Sequence, residues 1–361
     1  MEFMDISRCG VEQNTGVVLD FMQLRRLPKV EVSMDLEFID TVENKRRLSE
    51  TLAQGSAVIN LSKVNLHARQ GNLDEFPRRI LFEMTSVCNV LCRMCPRNHL
   101  LRPAMHMPKK DYIRILKEIG EVGVEGLWLY HLGESLMHPD FREIVNEVGR
   151  IDNFGYVWMS TNGHLMNESN CHFILDSCID YINYSMHGVS EFAHRSVIPQ
   201  GNFAKVMANF ETLMELKKKS SGRLPYIHLQ IIEQETTKHE VTPFIKKFFP
   251  TVDVVSINML EYVNLPENSF GYTQRERRPR GHCKRIQGGD CFICSNGAVT
   301  LCDAAYNCEE KYVGPLYLGN IHEDSLYDIW NGDRRKKLLD IEREGLLTSI
   351  PLCSTCTDYD F

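Results

Sequence analysis

The sequence predicts an α/β fold: an open, partial barrel of six βα units, with an N-terminal extension before it and a smaller C-terminal module after it. Three observations carry this expectation. Apolar, strand-like runs alternate with amphipathic helical stretches over residues 78–262. The polar segments fall where those strands end. Most of the thirteen cysteines lie in two places, residues 88–95 and 283–356.

Residues 1–77 form the N-terminal extension, where a Val30/Val32/Met34 alternation and a helical stretch around Asn44–Ala53 carry no recognisable chemistry. Arg79–Thr85 reads as the first buried strand, followed by the cysteine loop and a helix over 108–120 with Tyr112, Ile115, Leu116 and Ile119 at helical spacing. Gly126–His131 is the second strand, and its helix carries Phe141, Ile144, Val145 and Val148. Gly155–Ser160 is the third, with a helix over 168–178. Tyr181–Met186 is the fourth, with a helix holding Phe203, Val206, Phe210 and Leu213. Tyr226–Ile232 is the fifth, with a helix through Phe244 and Phe248, and Val252–Ile257 is the sixth. This alternation implies right-handed βαβ crossovers and a parallel sheet. Six units are too few for a closed eight-stranded barrel. In such sheets the reacting groups sit in loops at the strands' C-terminal ends, so five loops should converge on one mouth.

Composition narrows the function. A formal charge of −7 argues against a protein built on nucleic-acid phosphate contacts. No apolar run approaches the roughly 20 residues that cross a bilayer. Met1–Asp5 lacks the basic and apolar regions of a signal peptide, so a reducing cytoplasm is expected. There, clustered cysteines serve metal sites more often than bridges.

Cys88-Asn89-Val90-Leu91-Cys92-Arg93-Met94-Cys95 places three thiols in eight positions with no fourth nearby. A structural zinc normally gathers four ligands as two close pairs, and a closed four-iron cluster takes four cysteines. The remaining option is a four-iron, four-sulfur cluster with one iron open to a small molecule. CxxxCxxC directly after the first strand of a βα-repeat domain resembles the radical S-adenosylmethionine (SAM) superfamily, and the resemblance covers residues 78–361.

The resemblance implies that Cys88, Cys92 and Cys95 hold a [4Fe–4S] cluster whose open iron chelates SAM. It further implies reductive cleavage to methionine and a 5′-deoxyadenosyl radical, with an electron from a flavodoxin- or ferredoxin-type reductant. Leu132-Gly133-Glu134-Ser135 is similar to the family's Gly-Gly-Glu-Pro motif, whose glutamate holds the SAM amino group, although the first glycine and the proline are absent. Ser160, Thr161 and Asn162 match the loop near the SAM ribose, and Ser185 matches a serine near the ribose or carboxylate. His187 stands where relatives often carry aspartate. Arg195 is similar to an arginine that pairs with the SAM carboxylate, and Gln230 closes the set at the end of the fifth strand.

The C-terminal cysteines extend the resemblance. Cys283, Gly297, Cys302 and Cys353-Ser354-Thr355-Cys356 are similar to the module called SPASM, or to its shorter form called Twitch, built as a β-hairpin plus a helix. The register implies one auxiliary [4Fe–4S] cluster on Cys283, Cys302, Cys353 and Cys356, closed to substrate and suited to electron transfer. Cys291 and Cys294 form a CxxC that is either an alternative ligand pair or two small hydrophobes in the hairpin. Cys308 is a candidate hydrogen donor to a substrate radical. The expected domains are residues 1–77, 78–262 and 263–361.

The basic run Arg275–Arg280, with Lys284 and Arg285, either holds a substrate carboxylate or phosphate or is a solvated loop. Relatives of this kind imply dehydrogenation, epimerisation or dehydration of a small polar sugar, aminocyclitol or nucleoside, as in natural product biosynthesis. Two alternatives are a maturase acting on a ribosomally made precursor peptide and a non-catalytic zinc or iron–sulfur protein.

Overall fold

The computed structural model describes residues 18–19, 57–59, 75–220, 225–259 and 281–356. The alternation at 30–34, the helical stretch at 44–53 and the basic residues 275–280 lie outside the described residues. Eleven strands make up one sheet among the described residues. β1 (Val18–Leu19) and β2 (Ala57–Ile59) come from the N-terminal extension. β3 (Arg79–Phe82), β4 (Gly126–Trp128), β5 (Val157–Thr161), β6 (Tyr181–Ser185), β7 (Tyr226–Glu233) and β8 (Val254–Met259) are the six expected strands. β9 (Asp290–Ile293), β10 (Ala298–Thr300) and β11 (Tyr317–Asn320) complete the sheet from the C-terminal module.

The strand order is β1-β2-β8-β7-β6-β5-β4-β3-β9-β10-β11. The six central strands pair in parallel and in chain order, as expected. β3 and β8 do not pair with each other, so the sheet stays open. β2 runs antiparallel along β8, and β1 along β2. One pairing has no counterpart in the sequence reading: β9 lies parallel to β3, with Ile80 opposite Cys291 and Phe82 opposite Ile293. The C-terminal module therefore continues the barrel sheet instead of forming a separate hairpin.

Helices α1 (Lys109–Val122), α2 (Phe141–Ile151), α3 (Glu168–Leu175), α4 (Glu191–Val197), α5 (Phe203–Lys219) and α6 (Val241–Phe248) connect the barrel strands. α1 buries Tyr112, Ile115, Leu116 and Ile119, one helical stripe, and each such aliphatic residue contributes roughly 1.5–3 kcal/mol. Asn167, Ser190 and Asn202 begin α3, α4 and α5, each accepting a backbone N–H with its side chain. α4 is a helix that the sequence reading left unassigned. Several strands end earlier than expected, while β7 runs one residue further and β8 starts and ends two residues later. β3 stops at Phe82, and Thr85 instead makes an isolated bridge to His106.

Alternation along β5, β6 and β7 sorts side chains between the two faces of the sheet. Met159, Ile182, Leu229 and Ile231 belong to the main hydrophobic core. On the other face Trp158, Tyr181 and His228 pack tilted and edge-to-face, with ring centroids 4.6 and 5.6 Å apart. One step toward the strand ends on that face stand Ser160, Asn183 and Gln230, where the Asn183 amide donates to the Gln230 side-chain oxygen at 2.8 Å and to Ser160 Oγ at 3.3 Å. The barrel interior thus has an aromatic floor beneath a layer of uncharged polar groups, open toward the C-terminal ends of the strands. No helix among the described residues is long and apolar enough to cross a membrane.

Candidate active site

A cavity of about 380 Å³ opens at those strand ends. Cys88, Cys92 and Cys95 line it, together with Gly133, Glu134, Ser160, Thr161, Asn162, Ser185 and Gln230. Residues spread over 143 positions of sequence (88 to 230) therefore share one mouth. Arg195 is not among them. It sits on α4, exposed, 3.6 Å from Glu191 on the same helix.

The thiols act on one another. Burial first, and then the thiols of Cys95 and Cys88, push Cys92 up. Burial pushes Cys95 up to about 11, with Arg97 working against it. Three thiolates on a single zinc would lie roughly 3.8 Å apart, given zinc–sulfur bonds of about 2.3 Å. Among the described residues, only Glu83, His131 and Cys294 bring three such ligand atoms within 4.8 Å of one another. The Cys88, Cys92 and Cys95 sulfurs are gathered at one cavity, without all three lying within 4.8 Å of one another.

Glu134 follows β4 and is buried. Its carboxylate accepts from Thr161 Oγ1 at 2.9 Å, from the Asn162 backbone N–H at 2.8 Å and from the Leu136 N–H at 3.5 Å. Burial outweighs these bonds and pushes its pKa up to about 7. Gly133 is glycine for a steric reason: a Cβ there would collide with the Thr85 and Val87 carbonyls of the neighbouring loop. Ser135, in the position of the motif's proline, donates from Oγ to the Leu129 carbonyl at 2.5 Å and ties the loop back to the end of β4.

Several lining residues were missed at the level of sequence. Tyr130, His131 and Ile198 reach the cavity, alongside His187, which the sequence did single out and whose Nδ1 is buried without a hydrogen-bond partner. His131 also bridges to the C-terminal module, with Nε2 3.0 Å from the Asp303 carbonyl and Nδ1 3.3 Å from Glu83 Oε1. Glu83 and Arg102 form a fully buried ion pair at 2.8 Å. The Ser295 N–H donates to Glu83 at 2.7 Å, and Arg102 donates to Ser295 Oγ and to the Tyr306 carbonyl. A signal was present: a glutamate inside Arg79-Ile80-Leu81-Phe82-Glu83-Met84 must find a partner if the strand is buried.

Behind this seam lies the second cysteine group. Burial, then Asp303, and then the Cys283 and Cys356 thiols raise the Cys302 pKa, and the Cys356 N–H donates to the Cys353 carbonyl at 3.3 Å. Cys283, Cys302, Cys353 and Cys356 all pack, half-buried, against the main core. Cys291 is buried in β9 with Arg335 and Asp290 as charged neighbours. Cys294 and Cys308 are buried in one small cluster away from the cavity lining, and Cys308 Sγ donates to Asn296 Oδ1 at 3.4 Å. Gly297 closes the β9–β10 turn at φ +83°, a conformation that favours glycine. Arg285 of the basic run is buried and pairs with Asp303 at 3.0 Å.

The family model described as the radical SAM superfamily matches residues 82–239. The SPASM iron–sulfur cluster-binding domain model matches residues 283–357. The chain belongs to the radical SAM superfamily. As a radical SAM enzyme with a SPASM domain it uses a [4Fe–4S] cluster with SAM, and auxiliary iron–sulfur chemistry in the C-terminal domain. Among curated relatives it is 22% identical, over 78% of its own length and 88% of the relative's, to the tungsten-containing aldehyde ferredoxin oxidoreductase cofactor-modifying protein of Pyrococcus furiosus. Among solved structures it resembles BtrN in complex with AdoMet and 2-DOIA, with a TM-score of 0.50 and 17% identity, covering 80% of this chain and 99% of that one. It also resembles Streptococcus suis SuiB bound to precursor peptide SuiA, with a TM-score of 0.51 and 13% identity, covering 93% and 81% of the two chains. At these identities the likeness is one of fold.

Proposed function

We propose that this radical SAM enzyme abstracts hydrogen from a small polar substrate and passes an electron through one auxiliary cluster, giving dehydrogenation, epimerisation or dehydration. The observation that carries the reading is that three thiols and the buried Glu134 carboxylate line one cavity, with a second group of four cysteines behind it. When bound, the cluster on Cys88, Cys92 and Cys95 supplies the electron that cleaves SAM to methionine and a 5′-deoxyadenosyl radical. Glu134, braced by Thr161 and Asn162, receives the SAM amino group. Ser160, Ser185 and Gln230 offer hydroxyl and amide groups to SAM and Tyr130 a hydroxyl to substrate, while no lysine or arginine among the described residues lines the cavity. A lining of hydroxyls, amides and an aromatic ring suits a polyhydroxylated molecule. The half-buried Cys283, Cys302, Cys353 and Cys356 enclose the auxiliary cluster from solvent.

Anaerobic reconstitution tests this. About eight irons per chain are expected, since each of two clusters holds four. Reduction in the presence of SAM is expected to give 5′-deoxyadenosine. Cys353→Ala should lose about half the iron and all substrate turnover yet still cleave SAM. Zinc in place of iron with no cleavage would overturn the reading, and a precursor peptide as the only productive substrate would replace its small-molecule part.

Glu134 makes SAM binding pH-dependent. Its carboxyl is ionised above a pKa of about 7 and neutral below it in the unliganded cavity. The anion accepts hydrogen bonds from the SAM amino group where the neutral carboxyl does so poorly, so SAM affinity is expected to fall as the pH drops through about 7. Equilibrium binding between pH 6 and 8.5 checks this. Glu134→Gln should bind weakly with no slope, and a level wild-type profile would show that the amino group is held elsewhere.

A further inference from the structure

Asn162 stands between Glu134 and the first cysteine of the loop. Its backbone N–H serves Glu134, while its side chain turns toward the thiol. Nδ2 lies 3.7 Å from Cys88 Sγ and 2.8 Å from Asn89 Oδ1. The direction of this amide is set from the other side. Oδ1 accepts from the His164 backbone N–H at 3.0 Å and meets the His164 ring at Nδ1, 3.1 Å away. The His164 tautomer follows from its second nitrogen. Nε2 lies 3.0 Å from the backbone nitrogen of Asn202, the residue that begins α5. A backbone N–H can only donate, so Nε2 holds the lone pair and Nδ1 carries the proton. That proton points at Asn162 Oδ1. With two donors on its oxygen, the amide must present its NH₂ group to Cys88 and Asn89.

We propose that Asn162 is a positioning residue that donates a hydrogen bond to the Cys88 sulfur, and that His164 locks it in that orientation. The pair raises the reduction potential of the cluster held by Cys88, Cys92 and Cys95. The inference rests on the cluster reading of those three cysteines. The physical ground is general: one-electron reduction adds negative charge that the ligand sulfurs share, so an N–H aimed at a sulfur stabilises the reduced form more than the oxidised one. Asn162 and His164 are buried, while Cys88 is half-buried and Asn89 and Asn202 are exposed, so water competes least for the bonds between the two buried side chains.

Redox titration of the reconstituted full chain, followed by low-temperature EPR, tests the proposal on wild type, Asn162→Ala and His164→Phe. Both variants are expected to carry wild-type iron. At the wild-type midpoint their ratio of reduced to oxidised barrel cluster should fall about tenfold, a 59 mV shift to more negative potential for a one-electron couple. The auxiliary cluster, in the same molecule, should keep its midpoint. If Asn162→Ala does not load, His164→Phe, which removes no group from the cysteine loop, decides the question. An unmoved barrel midpoint at full iron content, an equal shift of both clusters, or loss of the cluster from His164→Phe would each overturn the inference. Failure of the wild type to hold an iron–sulfur cluster would instead overturn the reading of the three cysteines.

Discussion

Cys92→Ala is expected to fold, to keep the auxiliary cluster at about four irons per chain and to form no 5′-deoxyadenosine. Cys92 is the thiol on which both of its partners act, and it lines the cavity with them. Removing it leaves two ligands for the barrel cluster. The surrounding loop has its own supports: Arg97 donates to the Val90 carbonyl at 3.0 Å and Asn98 to the Cys92 carbonyl at 2.8 Å. The second bond uses the backbone of residue 92 and survives the substitution. Circular dichroism and iron counting separate loss of the cluster from loss of the fold. Continued 5′-deoxyadenosine formation by a variant lacking the barrel cluster would refute the assignment of these cysteines.

The second large effect concerns stability. Arg102→Ala is expected to destabilise the protein by about 3–5 kcal/mol, the usual cost of stranding one charge of a buried pair. Glu83 would be left without its guanidinium in a site where both side chains are essentially inaccessible. Loss should be felt across the seam, because the same network holds Ser295 and Tyr306 of the C-terminal module and, through Glu83, His131. Hydrogen exchange should quicken at the Ser295 amide and along the β3–β9 pairing before it quickens in α5. Replacing both partners, Glu83→Gln with Arg102→Met, should recover part of the loss, since no uncompensated charge remains. A thermal midpoint for Arg102→Ala equal to that of wild type would rule the argument out.

Acid weakens this seam as well, but at a much lower pH than it weakens SAM binding at Glu134. His131, Arg102 and the Ser295 N–H hold Glu83 well below the usual carboxylate value of 4.5, against its burial. Its contribution to stability is therefore complete above about pH 4.5 and is lost only as the pH falls toward the depressed value. Mild acid that already neutralises Glu134 and weakens SAM binding should leave the two modules joined. Measuring SAM affinity and thermal midpoint together between pH 5 and 7 should show the first falling while the second holds.

The sequence by itself determined what is local. Cys88, Cys92 and Cys95 are legible because one short loop must carry them to one place. The six strands are legible because a parallel strand covered on both faces carries a run of buried apolar residues, as Ile80, Leu81 and Phe82 do in β3. Even Gly133 was legible as a motif, though its reason, the carbonyls of Thr85 and Val87, belongs to a neighbouring loop. What only the tertiary structure decided is pairing across long separations. Nothing near residue 83 announces Arg102 and Ser295 as its partners, and nothing near β3 announces that β9, some 210 positions on, continues its sheet in parallel. Arg195 shows the same limit from the other side: a motif assigned it to the cofactor, but α4 turns its side chain toward Glu191 and solvent. Periodicity records whether a side chain is buried within its own element. Which distant polar groups meet is settled by the order in which strands assemble, and that order puts Asn162 beside Cys88 and Asn202 against His164.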